Sequence, residues 1–499
     1  MERTPTDRSR VLVALLATLL SAGLYIAGAA PGLTLQHGGS DGGELAVAVY
    51  TLGIPHPTGY STYLLLAQPF RLLPWGTPAG RLNLLSALAA ALTVGFVALA
   101  AGELFPERRF PARVAALTAG LSLAASGLFW SQALITEVYT LHTLFLALLL
   151  WLLLRWQRRG GAGLPLAGLF LGLGLGNHLT LLFLLPGALL FLRLSRRRIS
   201  RGEGLLGSSL FLAGLAVYLY LPLRAAADPW LNWGDPRDWG AFWAHVSAAA
   251  YRGFFFQRPW PEVAGNLAAT AGLLLRDFAL PGLGLGLAGL FLLGRREGRT
   301  LLLLAFPAGL GLLLALTYGG AGSEVHLLPL YLAWALGCGT TAGTLAAWLE
   351  GRFGPRTARV ALLLPLLSLP LILSGWGHWS LHNDPGPRPE RHLEALPPHS
   401  LLLTGQDEET FPLWYAQVVE GIRPDVAVVD VRLLEWPWYR RQLLLRNAGL
   451  LLPAGAEEGW LKALLQANAG RPIRALSPLP LPEGYSWEPE GAAFRLRLP

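Results

Sequence analysis

Charge is scarce in this 499-residue chain: 14% of residues are Asp, Glu, Lys or Arg, where a globular protein carries about 25%. That shortfall, with 53% hydrophobic residues, excludes a soluble multi-domain enzyme, a disordered chain and a fibrous protein. It leaves a polytopic membrane protein. Cysteine is almost absent, so a disulfide framework and a cysteine-rich metal site are excluded. The one cysteine, Cys338, lies in a Leu-rich run and reads as packing. Lysine is absent except for Lys462, so the net charge of +8 is carried by arginine. These arginines form short clusters between apolar runs, which is how membrane topology is written rather than how nucleic acid is bound.

Apolar runs of roughly 17–25 residues cross a bilayer. About eleven are expected by this measure, near 11–30, 81–101, 113–130, 139–155, 162–176, 178–193, 204–223, 272–294, 300–318, 327–349 and 358–376. With that count every basic cluster falls on one face: Arg3, Arg8 and Arg10; Arg108, Arg109 and Arg113; Arg155, Arg158 and Arg159; the arginines of 193–201; Arg295, Arg296 and Arg299; and Arg352, Arg356 and Arg359. The positive-inside rule makes that face cytoplasmic. Joining the short fifth and sixth runs would put the later clusters outside. Ala27–Ala30 also offers small residues for signal-peptide cleavage, the less favoured reading, because cutting there removes the tether of the loop behind it.

The expected architecture is an α-helical polytopic membrane protein with a small C-terminal α/β domain on the extracytoplasmic side. Residues 1–376 form the transmembrane domain, with outer loops at about 31–80 and 224–271, and 377–499 form the tail domain. In the tail, Ser400–Thr404 reads as a strand, Glu408–Glu420 as a helix and Val426–Asp430 as a second strand.

The first loop holds two acids, Asp41 and Glu44, three apart among glycines. A helix starting near Asp41 puts both on one face of its N-terminus, and glycine lets backbone approach a ligand. Leu45–Leu52 is apolar enough to lie in the membrane interface. His56 follows, between Pro55 and Pro57. The bland alternative is that the two acids only cap and solvate the helix. The second loop combines Trp and Arg. Arg224 and Arg252 run against the positive-inside bias, so an anionic group such as phosphate suits them; snorkelling arginines in an aromatic belt are the competing reading. Asn232 and Asp235 accompany them. Polar residues at or near membrane depth, Glu137, Tyr139, Asn177, His178 and His326, are further cavity candidates, or the satisfied ends of spans.

The run Ser40–Leu45, followed by Tyr50–Tyr60, resembles the opening of the protein O-mannosyltransferase-like family within the GT-C glycosyltransferases. Arg81–Ser86, Phe129–Ala133 with Glu137–Thr140, Gly176–His178, Leu221–Arg224 with Asn232–Pro236, and Leu403–Gly405 with Thr410–Tyr415 and Gly421–Val426 continue the resemblance in order. Gly42 stands where a Ser is expected, and Thr58 and Ser61 where prolines are common. The resemblance implies an enzyme of the bacterial plasma membrane, with its N-terminus cytoplasmic. It would move a sugar, such as mannose, from a polyprenyl-phosphate donor to a hydroxyl of a protein or glycan on the outer face. Its partners would be membrane lipid, that donor and that acceptor, with no nucleic acid. An acid of the first outer loop is such a family's catalytic group, and Asp41 holds that place. The chemistry then asks for a base, Asp41, with Glu44 positioning it or replacing it. It also asks for cations at the leaving phosphate: Arg224, then Arg252 and His56. A divalent ion held by Asp41 and Glu44 is compatible with this but not required. Two rivals remain: a transporter or lipid-linked-sugar flippase, and a non-catalytic scaffold using Asp407, Glu408 and Glu409 of the tail.

Overall fold

In a computed structural model, residues 5–453, 459–491 and 493–497 are described; Arg3 of the N-terminal cluster lies outside them. The chain is mostly helical. Among the described residues six helices are long and apolar enough to cross a membrane: Arg8–Gly28, Pro78–Glu103, Tyr139–Arg159, Arg201–Ala226, Trp260–Thr317 and Ser323–Trp379. A seventh arises if Arg109–Ala124 and Gly127–Ala133, bent by 69° at their break, form one span. Gly163–Leu175 and Leu179–Arg193 are shorter apolar helices. The helix Trp260–Thr317 has 58 residues, roughly 90 Å of helix at 1.5 Å per residue, against a hydrocarbon core of about 30 Å. Its helical dihedrals fail at Ala279 and Glu297, and those of Leu328–Ala358 fail at Gly354, where φ is 84°.

Two compact units emerge. The first holds residues 1–30, 83–218 and 250–383; the second holds 31–82, 219–249 and 384–499. Small residues let helices of the first unit meet closely, as is usual between membrane helices. A Cβ on Gly289 would strike the Gly337 carbonyl, and one on Gly168 would strike that of Gly207. At one end of this unit buried Glu103 pairs with Arg10 (3.7 Å) and Arg159 (3.3 Å), and Glu297 pairs with Arg158 and Arg299, each at 3.4 Å.

The second unit gathers the first loop, part of the second loop and the tail. Its sheet has the order β2-β1-β3-β5-β4, with β1 Leu401–Thr404, β2 Ala427–Asp430, β3 Ile473–Ala475, β4 Ser486–Glu490 and β5 Ala493–Arg497. β1 lies parallel to β2 (Leu401 opposite Ala427) and to β3 (Leu401 opposite Ile473), whereas β5 runs antiparallel to β3 and β4. β1 and β2 are wholly buried apolar runs closed by Thr404 and Asp430, the pattern of parallel strands covered on both faces. Between them lies the helix Asp407–Val418, so the expected strand–helix–strand unit is present. The last three strands were not expected; they are short and carry charges, so no alternating pattern marks them.

The helix Gly42–Thr51 departs from expectation. Its residues Gly42–Val49 are all buried, so it offers no apolar face to a membrane surface. It packs on the tail helix instead. A Cβ on Gly43 would lie 2.5 Å from the Phe411 carbonyl oxygen, so only glycine permits this approach.

Candidate active site

Asp41 ends a short 3-10 turn, Gln36–Asp41, and stands at the N-cap of the helix Gly42–Thr51. Both acids therefore sit at a helix N-terminus, where the peptide dipoles favour negative charge. The two differ sharply in surroundings. Glu44 has no exposed side-chain surface, while Asp41 keeps 28% of its side chain exposed. Glu44 is fully committed to His56: Oε1 accepts from the His56 backbone N–H at 2.8 Å, and Oε2 meets Nδ1 at 2.5 Å. With Nδ1 donating to Glu44, Nε2 is left to face the Tyr60 hydroxyl at 2.8 Å. Asp41 Oδ2 lies 3.8 Å from the same Nε2, and Ser40 Oγ donates to Asp41 Oδ1 at 3.4 Å.

The turn carrying His56 is fixed from below. Ile54 bridges Asn232 as a single parallel β-pair; its N–H donates to Leu231 O (2.6 Å) and its carbonyl accepts from Trp233 N–H (3.0 Å). Trp233 then sits edge-on to His56 with ring centres 6.1 Å apart, and is tilted against Trp438 at 5.0 Å. Buried His245 lies under Gly59, where a Cβ would approach its Nε2 to 2.9 Å. Burial, with His56 nearby, pulls the His245 pKa down to about 3, so it is a neutral support.

Burial pushes the Asp41 carboxyl up to about 6; His56 pulls the other way, while Glu44 and Asp407 reinforce the rise. Asp407 opens the tail helix and is itself paired with Arg432 at 2.6 Å. One half-buried carboxylate of raised pKa thus stands beside an imidazole held by a fully buried one, the kind of difference in surroundings that lets two acids do different chemistry.

The remaining predicted residues divide. Arg224 Nε donates to Leu52 O at 2.7 Å and Nη2 to Thr51 O at 3.5 Å, so it caps the C-terminus of the helix that begins beside Asp41. Asn232 and Asp235 are joined to each other. Asn232 Nδ2 donates to Asp235 Oδ1 (2.9 Å), and Asp235 pairs with Arg237 and Arg441. Arg252 belongs to the first unit, in the turn Ala249–Phe254. Also in the first unit, Tyr139, His178 and His326 come together with ring centres 5.6–6.4 Å apart, and His142 joins them 5.2 Å from His178. Asn177 and Glu137 both bind the Val138 backbone and so secure the start of the helix Tyr139–Arg159. Tyr60, Trp233, Trp438, His142 and Asp407 are the participants that sequence reasoning missed or gave no role here. The pairing of His56 with Tyr60 was open to it, four residues apart in one turn.

Each Glu44 oxygen meets one His56 nitrogen. Among the described residues no group of three or more His, Cys, Asp or Glu is arranged to hold a metal ion.

The helical architecture is that of the GT-C fold. ArnT from Cupriavidus metallidurans bound to undecaprenyl phosphate superposes with a TM-score of 0.54 at 13% identity, over 84% of this chain and 90% of ArnT. The Archaeoglobus fulgidus oligosaccharyltransferase tethered to an acceptor peptide matches with the same score and identity, over 82% of this chain and 63% of that one. The chain is similar to protein O-mannosyl-transferases of the TMEM260 type. The N-terminal domain of protein O-mannosyl-transferase TMEM260 matches residues 41–200, and TMEM260-associated domain 2 matches 389–448. Mouse protein O-mannosyl-transferase TMEM260 is 26% identical over 453 residues, covering 83% of this chain and 62% of the mouse protein. The Dictyostelium discoideum protein O-mannosyl-transferase tmem260 is 23% identical, covering 81% and 55%. The chain thus spans less than two thirds of either curated relative.

Proposed function

We propose that this protein is a membrane glycosyltransferase that moves a sugar, such as mannose, from a polyprenyl-phosphate donor to a hydroxyl of a protein or glycan acceptor. The observation that carries the reading is the partly exposed Asp41 carboxylate beside His56, which buried Glu44 and Tyr60 hold in place. Its support from relatives is that the curated ones are named protein O-mannosyl-transferases and that a fold neighbour binds undecaprenyl phosphate.

Asp41 acts as general base. As the acceptor oxygen bonds to the anomeric carbon, Asp41 takes its proton, and the bond from that carbon to the phosphate oxygen breaks with its electron pair leaving on the phosphate. A pKa near 6 makes Asp41 a stronger base than an ordinary carboxylate while leaving it ionised at pH 7. Glu44 is a positioning residue, acting through His56. For the leaving phosphate the proposed contacts are Arg224, whose Nη1 makes no hydrogen bond among the described residues, and His56. Cavity roles for Tyr139, His178 and His326 are proposed on their clustering.

The proposed topology has about eleven spans, obtained by dividing the two longest helices at Glu297 and Gly354 and counting the two short apolar helices and the bent pair separately from their neighbours. The convergence of Arg10, Arg158, Arg159 and Arg299 on Glu103 and Glu297 supports one basic, cytoplasmic end. The site loop and the tail, proposed as a domain from about residue 377, then face outward from a bacterial plasma membrane.

The test is transfer by the purified protein from polyprenyl-phosphate mannose to a Ser/Thr-containing peptide, read by mass spectrometry. Wild type should add a hexose. Asp41→Asn should lose about 10²–10⁴-fold in rate, the usual worth of a positioned base. Retained activity in a folded Asp41→Asn protein removes Asp41 from the mechanism.

A further inference from the structure

A cavity lies between the tail and Trp230 of the second loop, and none of its lining residues is an acid of the first loop. It has a volume of about 260 Å³ and is lined by Trp230, Trp414, Gln417, Tyr439, Arg446 and Asn447, among others. That falls just below the range of about 300–1,000 Å³ that suits drug-sized ligands, so it fits one small ring rather than a nucleotide or a lipid.

Arg446 is the unusual member. Nearby arginines have carboxylate partners: Arg423 meets Asp425, Arg432 meets Asp430, and Arg441 meets Asp228 and Asp235. Arg446 has none among the described residues. Its guanidinium lies over the Trp230 ring at 4.2 Å, and its one hydrogen bond is long, from Nη2 to Pro229 O at 3.4 Å. Burial pulls its pKa down to about 9, with Tyr439 opposing. A half-buried cation with no carboxylate partner gains when an anion joins it.

The other walls narrow the choice of anion. Gln417 spends Nε2 on Arg423 O and Val426 O, and Asn447 spends Nδ2 on Leu443 O. Their side-chain oxygens make no hydrogen bonds among the described residues and can accept from hydroxyls. Trp230 and Trp414 stand at 76° with centres 5.8 Å apart, giving two aromatic surfaces against which the C–H face of a sugar ring can lie. One guanidinium matches one carboxylate bidentately; a phosphate dianion would bring a second charge that no lining cation answers.

We infer that this cavity binds a sugar ring bearing a carboxylate, of the uronic-acid class. The site is independent of the transfer chemistry at Asp41, and binding alone tests it. Isothermal titration of the full chain in detergent with sodium glucuronate should give saturable heat. Glucose and inorganic phosphate should bind at least about tenfold more weakly, the scale of one lost charged hydrogen bond. Arg446→Met keeps a stem against Trp230 and should abolish glucuronate binding; Arg446→Lys should retain part of it. Should the Met variant not fold, Asn447→Asp, which places a negative charge in the cavity, should abolish binding as well. The inference is overturned by any of three results: a folded wild type that does not bind glucuronate, equal binding by a folded Arg446→Met or Asn447→Asp protein, or phosphate binding that matches glucuronate.

Discussion

Asp41 and Glu44 are three positions apart and chemically near-identical, yet burial gives them different surroundings. Asp41 keeps solvent access and a carboxyl raised to about 6, so a transfer rate that needs it ionised should fall as pH drops through about 6. A pH profile of kcat/KM reads this directly, and an acid limb near 4 would remove Asp41 as the titrating base. The same shift fixes the sign for stability. The folded state holds the Asp41 proton more tightly than the unfolded chain does, so its stabilising share is present at low pH and lost as pH rises through about 6. Asp41→Asn is therefore expected to leave the melting temperature at pH 7 unchanged or higher while abolishing transfer. Sequence spacing was enough to single out both acids and the helix that starts beside them. It gave no means of ordering them, because their burial depends on the tail helix Asp407–Val418, remote in sequence.

That helix is the element on which the site depends. Its contact with the helix Gly42–Thr51 runs through Gly43, whose missing Cβ leaves room for the Phe411 carbonyl. Gly43→Ala should cost about 1–3 kcal/mol, the usual penalty for overpacking a filled interface, and appear as a lower thermal midpoint in detergent; an unchanged midpoint would mean that the two helices separate freely. The helix also brings Asp407 close enough to raise the Asp41 pKa. Asp407→Asn should move the acid limb of the pH profile to lower pH, and a shift upward would contradict this electrostatic origin. The apolar reading of Leu45–Leu52 was sound as composition, but a buried apolar run is the same whether lipid or protein covers it. Arg224 shows a similar ambiguity. An arginine on the outer side suggested an anion, and its nearest partners are the carbonyls at a helix end, which carry the partial negative charge of the dipole.

For the whole molecule, hydropathy and arginine placement made the polytopic helical architecture legible, and the first parallel strands of the tail were readable as short apolar runs. Span boundaries were harder, because helices continue past the bilayer and break at single residues such as Glu297 and Gly354. Orientation is directly testable. Cys338 is buried and is the only cysteine, so a Cys338→Ala background carrying Trp75→Cys, at a position 62% exposed, gives one reactive thiol in the first loop. A membrane-impermeant maleimide should label it in intact cells; labelling only after lysis would reverse the topology. The seating of Gly43 against Phe411 has a temporal side as well. In the proposed topology the loop bearing Asp41 is made and threaded through the membrane early, and its covering helix follows only after the intervening spans, roughly tens of seconds later at ordinary synthesis rates. Until then the loop lacks both its lid of buried contacts and the Asp407 charge, so a nascent chain would be inserted before it is competent, and transfer would begin only once the tail has folded over it.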